Sequence, residues 1–123
     1  MGAPTATILV CEDDDQLRTV VELMLDGQGY RVLLAARPEQ ALELAAEHPH
    51  AIDVLVTDLS LPQMSGTELA ARLKKSVPEL EVLVLSGHPP DVLRGPCHAY
   101  LQKPFSDTSL LQTIRLLLEP HHH

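Results

Sequence analysis

The stretch that most limits what this chain can become is Val54-Leu55-Val56-Thr57-Asp58, an apolar run that closes on a single carboxylate. Short apolar runs bounded by turn residues form strands buried on both faces, as in parallel sheets covered by helices. A charge has no place in the middle of such a strand, so Asp58 belongs at its end, where the sheet opens to solvent. In open α/β sheets ligands bind outside the carboxyl ends of the strands. The same pattern recurs along the chain, with other apolar runs ending in Glu12-Asp13, in Ser86 and in the approach to Lys103.

Taken in order, Ala6–Cys11 is a first strand. A helix follows, capped by Asp14 or Asp15, with Leu17, Val20, Val21 and Met24 at i, i+3, i+4, i+7, and closed by Gly27 and Gly29. Arg31–Ala36 is a second strand. Pro38 opens a helix carried by Ala41, Leu42 and Ala45 and stopped before Pro49. Ile52–Thr57 is the third strand, and Ser65-Gly66 starts a helix with Leu69, Ala70 and Leu73 inward. Leu80–Leu85 is the fourth strand. Between Gly87 and His98, four residues out of Pro89, Pro90, Gly95 and Pro96 break any regular pattern, leaving about two helical turns around Asp91–Arg94. Ala99–Gln102 is a short fifth strand, and Ser106 or Asp107 caps a last helix with Leu110, Leu111, Ile114, Leu117 and Leu118 on its apolar face. Strands alternating with helices imply βαβ units, right-handed crossovers and a parallel sheet.

Composition narrows the function. A chain of 123 residues with 45% hydrophobic content makes one domain with a real core. Aromatics are confined to Tyr30, Tyr100 and Phe105, too few to stack the bases of a single strand. A net charge of −8 disfavours nucleic acid and anionic membranes and suits a cation site. Cys11 in a strand and Cys97 in a loop form neither a disulfide framework nor a zinc spacing, and Cys11 is expected to be an inert buried thiol in a reducing cytosol. No apolar run reaches about 18 residues, and residues 1–6 read as a short extension rather than a signal peptide. His121–His123, within the tail 119–123, resemble an affinity-tag remnant.

The polar strand ends make sense as a set. Asp14 and Asp15 suit a helix N-terminus, but Glu12-Asp13 directly follow a buried strand. With the first and third strands as neighbours, Glu12, Asp13 and Asp58 crowd one crevice, where like charges repel unless a cation lies between them. Magnesium suits such a site, since it takes one or two carboxylates and completes its octahedron with water and phosphate oxygens. Lys103 adds a compact positive charge for a phosphate oxygen, and Ser86 a hydroxyl donor.

These features closely resemble the receiver domain of two-component response regulators, over Thr7 to Leu118. The marks are the acidic pair after the first strand, Asp58–Gly66, Ser86-Gly87, and Lys103-Pro104-Phe105. The resemblance implies a flavodoxin-like α/β fold: a three-layer, doubly wound, five-stranded parallel sheet in the order 2-1-3-4-5. It implies that Asp58 is the phosphoacceptor, that Asp13 holds Mg2+ directly and Glu12 through water, with Mn2+ as a substitute, and that Ser60 lends a backbone carbonyl. Ser86 would be the switch hydroxyl, Lys103 the partner of the acyl phosphate, and Tyr100 the aromatic that turns inward when the hydroxyl engages phosphate. The Lys103-Pro104 bond is expected to be cis. The implied donor is a histidine kinase or a histidine phosphotransfer domain; Asp58 attacks the phosphohistidine phosphorus in line. The implied setting is cytoplasmic, alone or within a membrane-anchored kinase, as a monomer or weak dimer, with no nucleic acid or membrane bound by the domain. The sequence around Ser86-Gly87-His88 and Tyr100–Phe105 looks most like receivers at the C-terminus of hybrid sensor kinases.

Two departures stand out: Glu12 occupies a position where Asp is commoner, and Ser86–Lys103 is short and proline-rich, so the fourth helix is expected to be short or irregular. Three other readings compete. A magnesium-dependent phosphatase with an aspartate nucleophile would want a second acid two residues on, where Ser60 stands. A phosphorylation-independent pseudo-receiver would have no use for Asp13, Asp58 and Lys103 together. A flavodoxin-like electron carrier would want ring-stacking aromatics.

Overall fold

The computed structural model describes residues 5–89 and 97–119. Five strands form one parallel sheet: β1 (Thr7–Cys11), β2 (Arg31–Ala35), β3 (Val54–Asp58), β4 (Glu81–Ser86) and β5 (Ala99–Gln102), ordered β2-β1-β3-β4-β5. The helices are α1 (Asp15–Asp26), α2 (Pro38–Glu47), α3 (Gly66–Ser76) and α4 (Asp107–Leu118). The expected fold and strand order hold. The short helix expected between β4 and β5 falls at residues 90–96, outside the described residues.

Strand alternation sorts the core into two layers. Leu9, Cys11, Leu55, Val82 and Val84 face one way, against Ala41 and Ala45 of α2 and Leu69, Ala70 and Leu73 of α3. Ile8, Val10, Val54, Val56, Leu83 and Leu85 face the other, against Val21 and Leu25 of α1 and Leu110 and Ile114 of α4. The three central strands are buried along almost their whole length, which is why they read as unbroken apolar runs. The caps fall where side-chain chemistry placed them. Asp14 accepts from the N–H groups of Gln16 and Leu17, Ser65 from Glu68, and Ser106 from Ser109.

The first and second strands differ from expectation by one residue at an end and the fourth by one at each end, running Glu81–Ser86, and two other expectations shift further. The third strand begins at Val54 rather than Ile52 and includes Asp58, because Asp58 stays in register with Leu85 and Leu59 N–H reaches the Leu85 carbonyl at 2.8 Å. In α1 the inward stripe turns by one position: Val21 and Leu25 are buried, whereas Val20 is 44% exposed. Among the described residues no helix is long and apolar enough to cross a membrane.

Candidate functional site

Parallel strands start and stop at similar levels, so residues just past their carboxyl ends meet at one edge. Glu12 follows β1, Asp58 ends β3, Ser86 ends β4, and Lys103 follows β5. Oxygen atoms of Glu12, Asp13 and Asp58 lie within 4.8 Å of one another. Asp13 is exposed, while Asp58 is 8% and Glu12 only 1% exposed. A buried carboxylate needs partners, and Glu12 has two. Its Oε2 accepts the Asp14 N–H at 3.0 Å, and its Oε1 lies 3.2 Å from Lys103 Nζ. The same ammonium is 3.3 Å from Asp58 Oδ1.

Lys103 thus bridges the two buried acids. Burial raises the Glu12 carboxyl above its ordinary range, and Asp58 adds to the rise, while the Asp14 N–H and Lys103 act against it. Burial alone would lower the Lys103 ammonium, but Glu12 and Asp58 outweigh it and leave the group raised, so it stays charged at neutral pH. At Glu12 burial contributes more to the rise than the neighbouring Asp58 charge does.

Ser86 is buried, and its Oγ accepts the His88 N–H at 3.0 Å, which leaves the hydroxyl proton available to another acceptor. The Ser86 carbonyl takes the Lys103 N–H at 2.7 Å, tying the ends of β4 and β5 together. The Lys103-Pro104 bond is cis, as expected. Tyr100 packs against the α2/α3 layer, with its hydroxyl buried and unpartnered among the described residues. Ser60 is exposed and bridges to Ser65 across the loop between β3 and α3. That loop turns sharply at Gln63 (φ 75°) and returns so closely that a side chain on Gly66 would collide with the Asp58 carbonyl.

Arg18 was not singled out from the sequence. Its Nη1 donates to the Glu12 carbonyl at 2.9 Å and its Nη2 reaches Asp15 Oδ1 at 2.6 Å. The readable signal was the i, i+3 spacing from Asp15; the link to Glu12 depends on how α1 leaves β1.

Residues 8–115 match the family model of the response regulator receiver domain. The chain belongs to that family. It is 34% identical over 120 residues to the sensor kinase CckA of Brucella abortus, covering 94% of this chain and 13% of that protein. It is 33% identical to the transcriptional regulatory protein AfsQ1 of Streptomyces coelicolor, covering 91% of this chain and 51% of that one. The polar-differentiation response regulator DivK of Brucella ovis is 28% identical and is covered over 97% of its length. Several of these relatives are therefore much longer than the part this chain matches. Among solved structures, the receiver domain of the hybrid histidine kinase CckA superposes with a TM-score of 0.82 at 30% identity, covering 93% of this chain and all of that one. Chemotaxis protein CheY4 of Vibrio cholerae gives 0.85 at 26% identity, covering 94% and 100%.

Among the described residues, the cluster that could hold a metal is the carboxylate set of Glu12, Asp13 and Asp58, hard oxygen donors that fit magnesium better than a soft metal.

Proposed function

We propose that this receiver accepts a phosphoryl group from a phosphohistidine donor onto Asp58 and passes the change to a partner as a signal. The observation that carries this reading is the Lys103 ammonium, 3.3 Å from Asp58 Oδ1 and 3.2 Å from Glu12 Oε1, beside a cluster of three carboxylates. Asp58 is the one of these acids that is itself the last residue of a buried strand.

An ionised Asp58 oxygen forms the new O–P bond as the donor's N–P bond breaks, and the imidazole leaves with the electron pair and takes up a proton. Lys103 holds its positive charge where a phosphoryl oxygen would lie, and Ser86 has a hydroxyl proton to offer another. Asp13, Asp58 and Glu12, with the Ser60 carbonyl, are the groups that would hold magnesium, which when bound supplies charge for the equatorial oxygens. Ser86 and Tyr100 then report the phosphate to the surface. The partner is a histidine kinase or phosphotransfer domain in the cytoplasm, and the chain works as a monomer or weak dimer.

Acetyl phosphate with magnesium should label the chain once, in an acid-stable and base-labile form, and Asp58→Asn should abolish the label. Retention of the label in D58N would sink the assignment. Steady phosphate release from simple esters would favour the phosphatase reading instead.

A further inference from the structure

Thr57 has no assigned role, yet it is a wholly buried hydroxyl directly beside the acceptor. By strand alternation it follows Leu55 onto the face covered by α2 and α3, among apolar side chains. Valine has the same shape and would suit that layer, so the hydroxyl calls for an explanation. Its Oγ1 donates to the Asp58 carbonyl at 2.9 Å.

That carbonyl needs a donor because of where β3 ends. The pairing of β1 with β3 stops at Cys11 and Thr57, while on its other side β1 is still bonded to β2 through Glu12 N–H and the Ala35 carbonyl. Asp58 therefore lies one residue past the ladder on that side. On the other side it is still held, through Leu59 N–H and the Leu85 carbonyl. The start of α3 closes over the same point: Gly66 N–H bonds the Leu59 carbonyl at 2.8 Å, and a β-carbon on Gly66 would run into both the Asp58 carbonyl and Thr57 Oγ1. The direction of the Asp58 carbonyl sets ψ of Asp58. It thereby fixes how the chain bearing Ser60 leaves relative to the Asp58 carboxylate.

We propose that Thr57 is a positioning residue for phosphoryl transfer: its hydroxyl pins the Asp58 carbonyl and so keeps the carboxylate and the Leu59–Ser60 backbone in one fixed relation. This rests on Asp58 being the acceptor. Thr57 touches no reacting atom. Its effect belongs in the rate of transfer, because small displacements of reacting groups slow reaction steeply.

The test compares Thr57→Val, which keeps the shape, with Thr57→Ser, which keeps the hydroxyl. Labelling by acetyl phosphate is followed at saturating donor and magnesium, alongside thermal unfolding. The expected result is a labelling rate constant on the order of 10-fold lower in T57V, with an unchanged half-saturating donor concentration, a near-native melting temperature and recovery of the rate in T57S. A T57V protein that is folded and labelled as fast as wild type overturns the proposal. Should T57V fail to fold, Thr57→Ala and Thr57→Ser both lack the methyl group and differ in the hydroxyl; a rate in T57A equal to that in T57S overturns it too. An unlabelled wild type overturns the acceptor reading together with this one, whereas a labelled wild type matched by T57V removes Thr57 alone.

Discussion

Cys11 is the last residue of β1, fully buried and one position before Glu12. Burial pushes its thiol up to about 12, and the neighbouring charges of Glu12, Asp13 and Asp58 add to the rise. The thiol is thus a packing group at neutral pH, with almost no thiolate to react. The shift also has a sign for stability. The folded chain keeps this proton where the unfolded chain gives it up, so the contribution is complete below about pH 9. It is lost as pH rises toward 12, at about 1.4 kcal/mol per pH unit. Cys11→Val should lack that part of the alkaline loss, so the stability of wild type relative to C11V, measured by urea unfolding, should fall between pH 9 and 12. Parallel curves for the two proteins would contradict the shift. At this scale the sequence revealed Glu12, Asp13, Asp58 and Lys103 because each charge interrupts or follows an apolar run. It did not reveal Arg18 or Thr57. Both act on backbone carbonyls, whose directions depend on where neighbouring strands part.

Among the elements, α1 shows where periodicity misleads. Leu17, Val20, Val21, Met24 and Leu25 offer more apolar positions than one helical face can bury. The burial of Val21 and Leu25, and the exposure of Val20 and Leu23, follow from how the helix lies against β2 and α4. Leu25→Ala should cost about 2–5 kcal/mol as a core truncation. Val20→Ala, at an exposed site, should stay within roughly 0.5 kcal/mol. Chemical denaturation of the pair checks this, and equal losses would mean the helix faces differently. The strands were more legible than the helix faces, since being apolar on both sides leaves no phase to misjudge. Their spatial order came from the family resemblance, since pairing is a long-range property that local pattern does not carry.

For the whole molecule, a net charge of −8 is unevenly spent, with three carboxylates gathered at one edge and Lys103 the ion-paired cation among them. A magnesium ion bound there would relieve that crowding only in the folded chain, and would then stabilise by mass action, by about 1.4 kcal/mol at ten times its dissociation constant. The melting temperature should therefore climb with magnesium beyond what matched sodium chloride gives. Asp13→Asn, at an exposed position, should remove the increment while leaving the ion-free protein near wild type. An identical magnesium response in D13N would place the ion elsewhere.

The hydrogen bond from Lys103 N–H to the Ser86 carbonyl has a bearing on biosynthesis. Because β5 is the outermost strand and the last to be made, a growing polypeptide holds Glu12, Asp13 and Asp58 for some time before their countercharge is synthesised. Until the C-terminal quarter emerges and docks, a half-made receiver has the acids but not the lysine. The countercharge for these acids therefore arrives together with completion of the sheet.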